Sequence, residues 1–160
     1  MILMHCVLNY VEQVAAATRM HELGEAFQAL SEDHGYTGVI MIDAEKLIAR
    51  GQIGTAILFM TQARDTVRRP DRLYPLAGHQ RFAWAQSHDV PIFIDEMGRR
   101  LGIDAEVWAQ SLPPRLREQP SLLLPVHRGG KLAWYVGCAV PKPDKSALAV
   151  AILHTGANIA

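Results

Sequence analysis

The chain has 160 residues, the size of one domain whose core is large enough to fold without metal or disulfide staples. Apolar residues make up 49% and charged residues 20%, which excludes the polar bias of disorder and the repeats of collagen or coiled coil. Lys plus Arg equals Asp plus Glu at 16 each, so no net field draws the chain to nucleic acid or to anionic lipid.

The basic run Arg64, Arg68, Arg69 and Arg72 is interrupted by Asp65 and Asp71 and reads as a solvated helix end. Cys6 and Cys138 are far apart and form no CxxC, which fits a reducing compartment. Met1 to Leu8 is too short for a secretory core, and no apolar run reaches membrane-spanning length. The expectation is a cytoplasmic protein without a membrane partner.

In chain order, Leu8, Val11, Val14 and Ala15, then Leu23, Ala26, Phe27 and Leu30, follow helical spacing and predict two amphipathic helices. Gly35 suits a helix stop, and Gly38 releases Val39 to Ile42 as a buried strand. Asp43 to Glu45 reads as a turn, Lys46 to Arg50 as a partner strand, and Gly51 to Gly54 as a break. Thr55 to Met60 fits a helix or a strand; the strand is preferred, followed by a short helix ending at Pro70.

Pro70 to Gly78 reads as a loop, and Gly78 to His88 as a helix with Phe82 and Ala85 inward. Pro91 to Ile94 is extended, Asp95 and Asp104 are candidate caps of a broken helical region that Pro113-Pro114 closes, and Val107 and Trp108 follow the second cap. Leu122 to His127, the turn Arg128 to Lys131, and Leu132 to Val140 spell a β-hairpin. Ser146 caps a last helix with Leu148, Ile152, Thr155 and Ile159 on one face. The order predicts an α+β fold, an α-β-α sandwich with a central antiparallel sheet flanked by helices, GAF- or PAS-like in layout.

Strict alternation along the last strand puts Leu132, Trp134, Val136 and Cys138 on one face and Ala133, Tyr135, Gly137 and Ala139 on the other. The small residues around Tyr135 leave room either for a ligand or for a closely docked helix. The seven histidines show no HxH, HExxH or i, i+4 pairing, so no metal is expected. No GxSxG elbow, cysteine nucleophile motif or phosphate loop is present, and Asp95-Glu96 and Asp43-Glu45 fit a helix start and a turn. Catalysis and a bound cofactor are therefore not expected, although an enzyme assembled from distant residues stays open.

Taken together, His34-Gly35-Tyr36-Thr37-Gly38 leading into a strand, Phe82-Ala83-Trp84-Ala85 running on to Pro91-Ile92-Phe93-Ile94-Asp95-Glu96, and Leu124-Pro125-Val126 with Gly129-Gly130 resemble the autoinducer-binding domain of LuxR-type quorum-sensing regulators. The resemblance implies a domain that senses acyl-homoserine lactone between sheet and helices, serves transcriptional control and pairs as a homodimer or with a related regulator. It implies ligand-binding positions at Tyr36, Tyr74, His79, Trp84, Phe93 and Tyr135. The family's Asp-Pro pair falls near His79-Gln80 and its tryptophan at Ile94, so altered or lost lactone specificity is expected. Residues 1–160 are expected to form one sensing domain without the family's helix-turn-helix, and hence without direct contact to nucleic acid. A GAF- or PAS-like sensor of another small ligand and a ligand-free interaction domain are the alternatives.

Overall fold

The computed structural model describes residues 2–51, 53–61, 75–112, 121–139 and 144–160, with the side chains of 4–51, 53–61, 80–112, 121–138 and 144–160. Helices α1 (Ile2–Ala16) and α2 (Met20–Glu32) open the chain. The Glu22 carboxylate starts α2 by accepting the backbone N–H groups of Thr18 at 2.6 Å and Arg19 at 3.1 Å. Its inward face is the predicted one, with Ala26, Phe27 and Leu30 buried.

The face of α1 differs from the aliphatic stripe. Leu8 is 56% exposed and Val11 also faces out, whereas Tyr10 is buried. Its ring meets Phe27 edge-on at 6.4 Å, and its hydroxyl donates to the Gly156 carbonyl at 2.6 Å. An aromatic side chain whose polar tip finds a buried acceptor outweighs smaller aliphatics in setting the helix rotation.

Strand β1 (Gly38–Asp43) runs directly into helix α3 (Ala44–Arg50), where a strand over Lys46 to Arg50 was expected. Asp43 caps this helix by accepting the Lys46 N–H at 3.0 Å, and Gly51, with φ 65°, stops it in the left-handed region. Glu45 in the first turn and Arg50 in the last complement the helix dipole. Helix α4 (Ile53–Ala56) takes Thr55 and Ala56, and strand β2 (Ile57–Met60) keeps the rest of the predicted strand. The predicted short helix up to Pro70 lies outside the described residues.

Helix α5 (Pro75–Ser87) begins three residues before the expected Gly78. Proline suits a first helical turn because its missing N–H is one that the turn leaves unpaired anyway. After β3 (Ile92–Phe93), helix α6 (Ile94–Arg100) is capped at Phe93, so Asp95 sits in its first turn rather than at the cap. Asp104 caps α7 (Ala105–Ser111) as expected, accepting the N–H groups of Glu106 at 3.0 Å and Val107 at 3.3 Å. Pro113-Pro114 lies outside the described residues.

Strands β4 (Ser121–Arg128) and β5 (Lys131–Ala139) form the predicted hairpin, with Gly129 and Gly130 at φ 58° and 77°. Positive φ at both central positions of such a turn is a conformation that favours glycine. Ser146 caps helix α8 (Ala147–Ile159), its hydroxyl oxygen accepting the Ala149 N–H at 3.2 Å. Of the predicted α8 stripe, Leu148 (60% exposed), Thr155 and Ile159 point outward and Ile152 is partly buried against the first core, while the buried face is Ala149, Leu153, Gly156 and Ala157. Small residues win that face because the helix lies close to its neighbours: a Cβ on Gly156 would sit 2.7 Å from Leu30 Cδ2.

The strands form one antiparallel sheet in the order β2-β1-β5-β4-β3, with a separate core on each face. The first core joins α1, α2 and α8 to Val39, Met41, Leu122, Leu124, Trp134, Val136 and Cys138. The second joins α5, α6 and α7 to Ile42, Ile92, Leu123 and Tyr135. The fold is thus the expected α+β arrangement of helices on both faces of an antiparallel sheet. No helix among the described residues is long and apolar enough to cross a membrane.

Strict alternation along β5 fails at one point. Val126 pairs with Trp134 but His127 pairs with Leu132, so Ala133 is an extra, bulged residue. Ala133 accordingly packs against the first core and Leu132 against the second, the reverse of the predicted sides.

Candidate functional site

The second core is where residues from distant parts of the chain converge. Trp84 and Ala85, adjacent on α5, both face inward, and the fully buried methyl of Ala85 lets the helix lie close to the sheet. His127 ties the hairpin to this helix, its Nε2–H donating to the Ala85 carbonyl at 2.6 Å. From the sheet comes Tyr135, only 6% exposed, with the Phe82 ring tilted against it at 6.2 Å.

Trp84 is 8% exposed. The His88 ring stacks on it at 3.9 Å and 8°, and His88 Nδ1 lies 3.1 Å from the Trp84 carbonyl. The Trp84 Nε1–H is shut off from solvent and has no hydrogen-bond partner among the described residues. Trp108, in the same core, shows the ordinary outcome: its Nε1–H donates to the Ile94 carbonyl at 2.9 Å.

The small-residue face of β5 is more filled than the sequence implies. Ile40 lies opposite Gly137, and its Cγ2 would be 3.0 Å from a Cβ there. Ala133 leaves this face through the bulge, and the side chain of Ala139 lies outside the described ones.

The six expected ligand positions do not form one group. Trp84 and Tyr135 share the second core, whereas Tyr36 and Phe93 belong to the first. Tyr36 is fully buried and donates its hydroxyl to the Asp144 carbonyl at 3.1 Å. Burial first, then the nearby Cys138 and Asp144, push its phenol above the ordinary tyrosine range. Phe93 is partly buried, with the Lys145 ammonium 5.0 Å from its ring centre. Tyr74 lies outside the described residues, and His79 falls on α5 with its side chain outside the described ones.

Sequence reasoning passed over the polar cluster beside Tyr36. His34 is buried and its Nε2 has no partner among the described residues, while its carbonyl accepts the Asp144 N–H at 3.0 Å. The Asp144 carboxyl is held below its usual range chiefly by the Ser146 backbone N–H, then by the Ser146 hydroxyl. Burial pushes the Cys138 thiol up to about 12, so it stays protonated and unreactive at neutral pH. Only the position of His34, just before Gly35, hinted at this cluster. Among the described residues, no group of three or more His, Cys, Asp and Glu side chains is placed to hold a metal ion.

No family model, curated protein or solved structure matches this chain.

Proposed function

We propose that this chain is a small-molecule sensing domain of the LuxR autoinducer-binding type, with a ligand preference altered from that of the family. The carrying observation is the meeting of Trp84, from α5, with Tyr135, from β5, in the core between the sheet and its second helical layer. Both positions are among those that the resemblance implies for the ligand, and the layer between sheet and helices is where the resemblance puts it. Cavities between layers of an α+β fold are common places for small ligands.

In this reading the ligand has an apolar tail and a small polar head, and the domain works in the cytoplasm as part of transcriptional control. It acts as a homodimer or as a heterodimer with a related regulator. The apolar residues exposed on α1 and α8, namely Met4, Leu8, Val11, Leu148 and Ile159, support such pairing. The packing of Ile40 at Gly137 favours a second reading, a ligand-free interaction domain whose core is already filled.

Thermal melting against acyl-homoserine lactones of graded chain length separates the two. A ligand that prefers the folded state raises the midpoint with concentration. A rise that depends on chain length supports sensing, and an unchanged midpoint across the series supports the interaction domain.

A further inference from the structure

We draw no further inference here: the strongest candidate, the apolar surface patch that α1 and α8 turn outward through Met4, Leu8, Val11, Leu148 and Ile159, carries nothing because nothing in the structure shows what covers it beyond the pairing already proposed.

Discussion

Gly24 on α2 tests how closely this helix is seated on the sheet. A Cβ built there overlaps Cγ and Cδ2 of the Phe59 ring and lies 2.8 Å from the Phe59 Cβ, so swinging the end of a flexible side chain cannot relieve the overlap. Gly24→Ala gains up to about 1 kcal/mol of helix propensity. Against this, overpacking a filled core costs roughly 1 to 3 kcal/mol, and expelling a buried phenylalanine about 3 to 5 kcal/mol. The clash wins, and the net loss is about 2 to 4 kcal/mol, a fall in melting midpoint of roughly 5 to 15 °C for a chain of this size. Gly54→Ala on α4 is the matched control, because a Cβ there meets nothing within 4 Å. It leaves the midpoint unchanged or slightly raised. Thermal melts followed by circular dichroism read both, and a Gly24→Ala variant as stable as the parent refutes the close seating. Combining Gly24→Ala with Phe59→Ala recovers part of the loss, since the two residues compete for one space.

The two thiols differ in reach. In native protein at neutral pH, Cys138 stays closed to a disulfide reagent such as Ellman's until denaturant opens the core, while the partly exposed Cys6 is not tied to unfolding. Release of two thiolate equivalents from the folded chain contradicts this burial. Asp144 shapes the acid limb of stability. Its folded-state pKa is depressed below the ordinary aspartate value of 3.8, so its contribution is present above that value and is lost as pH falls through the folded pKa. The difference in urea midpoint between parent and Asp144→Ala therefore shrinks as pH is lowered below about 3.8. A difference that is constant or growing towards acid pH reverses the sign of the argument.

Features written in neighbouring residues were legible. Asp104 and Ser146 cap their helices, and Gly129-Gly130 turns its hairpin, because each acts within a few residues of itself. Helix α3 carries the same kind of signal in Asp43 and Gly51, but Lys46 to Arg50 is too short for its apolar spacing to tell a helix from the expected strand. The rotations of α1 and α8 were not legible, since Tyr10 and Gly156 are chosen by each other across the fold. The site was half legible for a related reason. Trp84 and Tyr135 are common pocket residue types, but the side of the sheet on which Tyr36 and Phe93 lie depends on register and helix placement. The lone N–H of Trp84 is set by where acceptors are absent, which no local pattern encodes.

The bulge at Ala133 means that one residue acts as a frame-shifter for the hairpin. Beyond it, from Trp134 onward, each successive side chain serves the opposite core, so the peptide bond between Trp134 and Tyr135 joins the two interiors. Deleting Ala133 would restore simple alternation, with Leu132 kept on the second core, Trp134 on the first, and the pairings of Leu132 with His127 and of Trp134 with Val126 in place. Deleting a residue between Trp134 and Cys138 has no such outlet. It would turn both interiors inside out at once, trading Tyr135 for Val136 on one side and the reverse on the other. Changes in length are thus absorbed at one place near the turn and refused along the middle of the strand.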